Sequence, residues 1–488
     1  MRAIVIGAGI GGLATALRLA AAGHEVHVFE QSDSLGGKLN VFAQNGYRFD
    51  AGPSLFTLPS LVEELVKCAG ASPSRFQYHT LDRSCHYFWD DGTQLIAWFD
   101  KNKLAHEIET VLGVDPTPTL KHLRHSAFLY ETTASLFMER SLHRLKSYIS
   151  KDVIKALVNV FRLDLTTSMH RSNNAALNHP KLVQLFDRYA TYNGSDPYRA
   201  PGVLNIIPHL EHNIGTFLPK GGMYTITQTV ADLAKEKGVH FHTNTPVRRI
   251  VTEGGKAVGI ETEQGEIAAD FVVSNADVFT TYRHLLPQES APAGVLERER
   301  STSALIFYWG IAHSFPQLHL HNIFFSNDYV HEFALLKEGV EISDDPTVYI
   351  NITSKIEPED APAGHENWFV MINVPAHFDQ NWDVLIPKAR KAILSKISKI
   401  LGMDVETLIT TEALLEPRTI ESKTASHRGA LYGTASNDRM AAFLRHPNFS
   451  RSIKGLYFCG GSVHPGGGIP LCLLSAKIVN ELIESDHA

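Results

Sequence analysis

Ala3-Ile4-Val5-Ile6-Gly7-Ala8-Gly9-Ile10-Gly11-Gly12 is the stretch that decides the fold. Four apolar residues suited to a short buried strand run straight into a turn holding four glycines. A helix is predicted from Leu13 to Ala22, stopped by Gly23, and a second strand from Val26 to Phe29, ending at Glu30. Strand, helix and strand in that order make a βαβ unit with parallel strands. Gly7, Gly9 and Gly12 satisfy G-x-G-x-x-G: a tight turn, a close backbone approach to pyrophosphate, and close helix packing. Ala8, Ile10 and Gly11 complete the loop. The helix N-terminus stabilises phosphate charge, and Glu30 accepts from ribose hydroxyls while repelling a 2′-phosphate. The pattern implies a dinucleotide ligand with an unphosphorylated adenosine.

Further glycine turns say which one. Ser34-Leu35-Gly36-Gly37-Lys38 follows Glu30 and Gln31, and Phe49-Asp50-Ala51-Gly52-Pro53-Ser54 forms a third tight loop. Far along the chain, the strand Leu456-Tyr457-Phe458-Cys459 leads into a loop from Gly460-Gly461 to Gly466-Gly467-Gly468. A helix is predicted from near Pro470, a favoured first position, with Leu471, Leu474, Ile478 and Leu482 on one stripe. A nicotinamide enzyme has no need of a glycine-rich strand-loop-helix so distant, whereas extended FAD can use one. Residues 221–275 turn α/β again: a helix to about Lys237, then strands at 239–242, 247–251, 257–262 and 271–274, with Gly254-Gly255 and Gln264-Gly265 as hairpin turns. Aromatic strands such as Leu305 to Trp309 and a helix at 387–401 follow.

GAGIGG, Glu30, SLGGK, YRFDAGP, LPKGGMYTI and LYFCGGSVHPGGGIP together closely resemble the bacterial-type carotenoid (phytoene) desaturase family, and the matches span residues 4–477. Ala51-Gly52-Pro53-Ser54-Leu55-Phe56-Thr57 is more similar to the hydroxycarotenoid 3,4-desaturase subgroup. The resemblance implies an α/β fold: a discontinuous, Rossmann-like FAD-binding domain of the amine-oxidase type, an α+β substrate domain and a helical membrane-facing part. The expected division is 1–95, 220–295 and 412–488 for FAD binding, 96–219 for the helical part and 296–411 for the rest of the substrate domain. It further implies that Gly7, Gly9, Gly12 and Glu30 hold the ADP half, and that Gly36, Gly37 and Lys38 lie along the pyrophosphate and ribityl chain. The Val247 backbone would meet adenine, Gly460 and Gly461 would approach phosphates and ribityl, and Gly468, Ile469 and Pro470 would lie by the flavin ring. His464 is the first candidate for a base assisting C–H cleavage, with Arg428 and Glu416 as weaker ones. The competing readings are a flavin amine oxidase and a prenyl-lipid carrier of the Rab-escort type.

Composition bounds these readings. The 488 residues are 44% hydrophobic, enough for a large core, and a net charge of −7 argues against nucleic-acid binding. Four cysteines without C-x-x-C suggest neither a disulfide scaffold nor a zinc ribbon. The pairs His240/His242 and His319/His321 lack partners at zinc spacing, so no metal is expected. Residues 1–22 mimic an export signal, but Arg18 interrupts the apolar stretch and the four glycines from Gly7 to Gly12 suit a turn better than a hydrophobic helix. Residues 140–162 carry six basic residues against one acid, with Leu142, Leu145, Ile149, Val153, Ile154, Leu157, Val158 and Phe161 at helical spacings. This reads either as a cationic face on a packed helix or as a membrane-surface helix. At about 0.8 kcal/mol per CH2, a C40 hydrocarbon must come directly from a bilayer. A cytoplasmic protein peripheral to the inner face of the cell membrane is expected. With no second G-x-G-x-x-G, the electrons are expected to pass to oxygen, a quinone or another external acceptor.

Overall fold

The computed structural model describes residues 1–144, 151–438 and 445–487. A five-stranded parallel sheet carries the glycine loops. Its order is Leu456–Phe458, Phe271–Ser274, β1 (Arg2–Ile6), β2 (Glu25–Phe29) and His240–His242. Three distant parts of the chain thus build one sheet, with β1 at its centre. Ala3, Ile4 and Val5 are fully buried because helices or loops cover both faces. The helix α1 (Ile10–Ala21) and the C-terminal helix Ile469–His487 pack beside each other on one face.

α1 begins at Ile10, earlier than the predicted Leu13. Gly9 is its extended N-cap, and Gly11 and Gly12 lie inside the helix despite their low helix propensity. Packing explains this: a Cβ on Gly12 would sit inside the van der Waals surface of the Gly7 carbonyl oxygen. Close approach of helix to strand outweighs the roughly 1 kcal/mol that each glycine costs.

Arg249–Glu253, Lys256–Thr262 and Gly265–Ala268 form a separate antiparallel sheet, joined by the two predicted hairpin turns. Val247 lies in the extended stretch just before that sheet rather than in a strand.

The second large sheet has seven strands: Ile409–Leu415, Ser303–Ile311, Glu366–Val374, Val348–Ile352, His321–Phe324, Arg83–Phe88 and Gln94–Trp98. Arg83–Phe88 falls within the stretch 1–95 read from the sequence as dinucleotide-binding, yet it pairs with His321–Phe324. Alternation identifies a strand but not the sheet it joins. The outer face packs Trp309, Trp368 and Ile350 against the helix Trp382–Leu401. That helix starts before Pro387, the region where the pattern suggested its beginning. The inner face turns towards the loops of the parallel sheet.

Helices Lys101–Leu112, Thr117–Phe137, Met169–Leu177 and Pro180–Asp187 cover the strands at 83–98. Lys151–Val158 differs from them. Only its Ala156 is buried, while Ile154 (64%), Leu157 (64%), Val158 (76%) and the following Phe161 (98%) are exposed. The apolar stripe points outward. Leu145, Lys146 and Ile149 of the same predicted segment lie outside the described residues. No described helix is long and apolar enough to cross a membrane.

Candidate cofactor and substrate site

The C-terminal ends of parallel strands form the usual ligand crevice of such a sheet. Here β1 delivers Gly7–Gly12, β2 delivers Glu30, Phe271–Ser274 delivers Asn275, and Leu456–Phe458 delivers Gly460–Gly461. Gly7 adopts φ +91° and donates its N–H to Phe29 O at 2.8 Å, so the turn is locked onto β2. Glu30 is buried: its Oε2 accepts from the Ala8 N–H (2.7 Å) and its Oε1 from the Ser32 N–H (2.9 Å). The carboxylate is thereby fixed at the strand end, and its remaining lone pairs can accept from a ribose.

The predicted loops converge on this point. Gly36 donates to Ala8 O at 2.8 Å, and a Cβ on Gly37 would lie 3.3 Å from Gly9 Cα. A Cβ on Gly11 would lie 3.0 Å from Gly460 Cα, so residues far apart in sequence share one crevice. Gly52 in turn abuts the Lys38 carbonyl. A Cβ at Gly468 would meet nothing within 4 Å, so open space lies ahead of the C-terminal helix. Ile469, the first residue of that helix, is buried, and Pro470 follows. At the other end, Thr245 N donates to Glu30 O (2.8 Å), which ties the stretch before Val247 to the end of β2. Gln31 is exposed and reaches Lys423 O at 3.4 Å.

Asp50 explains why two of the motifs travel together. Its carboxylate accepts from Met223 N (2.9 Å) and Tyr224 N (3.3 Å), closing the start of the helix Tyr224–Glu236. The loop after Asp50 is gripped from the inner face of the seven-stranded sheet. Tyr308 OH donates to Ala51 O at 2.8 Å, and Ser54 Oγ lies 2.9 Å from Tyr349 OH. Tyr349 and Met371 occupy interior strands yet remain only half-buried, so a cleft persists above that face.

Several site groups escaped the sequence reading. Asn275 packs among Gly9, Gly11, Gly12 and Gly460 and donates to Cys459 O at 3.3 Å. Asp277 and Arg300 form a buried ion pair at 2.6 Å. Arg445 donates to Tyr432 O (2.7 Å) and Gly461 O (3.4 Å), and burial lowers its pKa to about 10. Asn275 and Asp277, polar residues directly after a buried strand, were the available signal. Lys38 donates to Ala430 O (3.1 Å) and Leu431 O (2.8 Å), and burial lowers its pKa to about 8. Lys38, Arg300 and Arg445 against Asp277 leave the interior electropositive, which suits an anionic ligand.

His464 is buried; one ring nitrogen, Nε2, lies 2.8 Å from Arg140 O. A carbonyl only accepts, so Nε2 carries the proton and Nδ1 the lone pair. Burial lowers its pKa to about 4. Arg428 stacks over Phe378, and Glu416 caps the helix Pro417–Thr424, so both serve the scaffold. His240 and His242 stack on His27, and His319 lies just outside the strand that holds His321.

A glycine cradle for a pyrophosphate, an acid for a ribose and an electropositive far end together define a flavin-adenine-dinucleotide oxidoreductase. Comparison with known proteins agrees. The family model described as flavin containing amine oxidoreductase matches residues 10–483, and the chain belongs to that family. The 1-hydroxycarotenoid 3,4-desaturase of Flavobacterium sp. (strain P99-3) is 51% identical over 487 residues, covering 100% of both chains. The 4,4'-diapolycopene oxygenase of Methylomonas sp is 32% identical over 99% of this chain and 98% of its own. Among solved structures, an oxidoreductase from Methanosarcina mazei superposes with a TM-score of 0.66 at 18% identity, over 99% of this chain and 100% of its own; it shares the fold.

Proposed function

We propose that the protein is an FAD-dependent carotenoid desaturase acting on a 1-hydroxylated carotenoid at its 3,4 bond. The observation that carries this reading is the full-length 51% identity to a protein of that activity, together with an intact set of glycine loops. The bound cofactor supplies the acceptor for the hydride removed from one carbon. The chain's own residues do the rest. Gly7–Gly12, Glu30, Gly36–Gly37 and Gly460–Gly461 would bind and orient the dinucleotide, with Gly468–Pro470 and the Gly52–Ser54 loop along its flavin half. The inner sheet face, with Tyr308, Tyr349 and Met371, would cover the reacting carbons and exclude water. His464 serves as a tether from the glycine loop to Arg140, holding the helical part over the site. The proton from the second carbon leaves without an assigned base.

The exposed stripe Ile154, Leu157, Val158 and Phe161, beside Lys151 and Lys155, supports docking on an anionic bilayer from which the polyene enters. Each of these side chains forgoes about 1.5–3 kcal/mol of burial in water, which a membrane would restore. The electrons then pass to oxygen or a quinone. Expression in bacteria that accumulate a 1-hydroxylated carotene tests the reading: a red-shifted pigment is expected, and an unchanged pigment alongside flavin-loaded protein would refute it. Binding to anionic liposomes at low salt, lost at high salt, tests the docking.

A further inference from the structure

The seven-stranded sheet places a polar cluster where a hydrocarbon substrate would call for apolar cover. Its register pairs His321 with Asn351, Asn351 with Phe369, and Tyr349 with Met371, so His321, Asn351 and Tyr349 share the inner face. Tyr349 OH lies 2.8 Å from His321 Nδ1 and 2.9 Å from Ser54 Oγ. The tautomer of His321 follows from its other neighbour. Asn351 Nδ2 donates to Leu320 O (3.1 Å), which fixes its amide orientation, and it also reaches His321 Nδ1 at 3.2 Å. An amide nitrogen only donates, so Nδ1 accepts and Nε2 bears the proton. Nε2 is buried and has no hydrogen-bond partner among the described residues. Burial lowers the His321 pKa to about 3, so the ring is neutral. A cavity of about 290 Å³, lined by Cys85, Leu320 and His321 and also by the charged Asp82, Arg83 and Lys355, opens at this end of the sheet.

The cluster therefore holds an unused N–H donor, and Ser54 and Tyr349 retain lone pairs, beside the apolar Ile323 and Phe369 and within electrostatic reach of the buried Arg188. A hydroxyl, donor and acceptor in one group, matches that inventory; a hydrocarbon leaves it unpaired, which is costly in a buried site. Position matters as well. In a substrate hydroxylated at C1 and oxidised at the 3,4 bond, the oxygen lies only roughly 3–5 Å from the reacting carbons, given C–C bonds of about 1.5 Å. A group that reads the hydroxyl must adjoin the flavin, and Ser54 sits on the loop whose Gly52 abuts Lys38.

We infer that Ser54, Tyr349 and His321, with Asn351 behind them, form the site that recognises the terminal hydroxyl of a hydroxylated polyene. This rests on the desaturase reading above and names the specificity determinant within it. The test compares wild-type protein with Tyr349→Phe and His321→Leu on a 1-hydroxylated carotene and its parent hydrocarbon, scoring kcat/KM, equilibrium binding of each pigment, flavin content and thermal stability. Wild type is expected to favour the hydroxylated pigment at least tenfold in kcat/KM and in binding. Tyr349→Phe, which removes one oxygen without changing shape, is expected to bring that ratio towards one at unchanged flavin content. If His321→Leu fails to fold, Tyr349→Phe alone decides. A preserved ratio in flavin-loaded Tyr349→Phe, or a wild type that binds both pigments equally, overturns the inference. A parallel loss on both pigments with reduced flavin content also overturns it, by assigning the cluster to the cofactor. A flavin-loaded wild type that oxidises neither pigment refutes the desaturase reading instead, and selective binding of the hydroxylated form would still uphold the cluster's role.

Discussion

Two helices with the same apolar rhythm meet opposite fates in this molecule. In Ile469–His487, Leu474, Ile478 and Leu482 recur at i, i+4 and i+8 and are all buried, Ile478 and Leu482 in the core shared with the parallel sheet and α1. In Lys151–Val158, Ile154, Leu157 and Val158 recur at i, i+3 and i+4, continue to Phe161, and face water. Periodicity gives a helix and a face; it does not give the partner of that face. The flanking sequence carries the distinction. The C-terminal helix follows a strand and a glycine loop that fix it onto the sheet, whereas the other is bracketed by Lys151, Lys155 and Arg162.

Substitutions on the two faces separate these environments. The largest effect is expected for Ile478→Asp, which buries an unpaired carboxylate in a fully packed position: destabilisation of several kcal/mol, read as loss of soluble, flavin-containing protein. Gly12→Val is next, because its side chain collides with the Gly7 carbonyl; flavin is expected to be absent from any soluble fraction. Glu30→Ala leaves the fold but removes charge-assisted contacts, and flavin affinity should fall about 10- to 100-fold by equilibrium dialysis. On the exposed helix, Leu157→Asp with Phe161→Asp is expected to change stability by no more than about 0.5 kcal/mol per site while abolishing liposome co-sedimentation. A large loss of stability there would mean that the two faces are alike after all.

Acid gives the smallest and most diffuse effect. Burial lowers the pKa values of His122, His446 and His464 to about 4, while in the unfolded chain they return to about 6.5. The unfolded state therefore binds more protons between those values, and stability is full above about pH 6.5 and declines as pH falls towards 4. Thermal midpoints measured from pH 7 to pH 5 should fall steadily, and His464→Gln, which keeps an N–H donor for Arg140 O but does not titrate, should flatten the slope.

The legible part of the site is the part written in glycine. Gly7, Gly9, Gly12, Gly36, Gly37, Gly460 and Gly461 come together because glycine takes a positive φ or lets a backbone or the Asn275 side chain come close, a constraint visible in a single residue type. Asp50 was visible only as part of a turn, since its partners Met223 and Tyr224 lie far along the chain. The contact of Ser54 with Tyr349, and of His464 with Arg140, depends on how two sheets and a helical layer are stacked, and nothing local encodes that. The same holds for Arg83–Phe88, which is buried on both faces and whose place is settled by its pairing with His321–Phe324.

The edge strand Leu456–Phe458 has a consequence for biogenesis. It closes the parallel sheet from the far end of the polypeptide, and it carries Gly460 against Gly11. A ribosome must therefore release the chain past Gly460 before this side of the crevice exists, and until then the flank of Phe271–Ser274 is an unpaired, aggregation-prone margin.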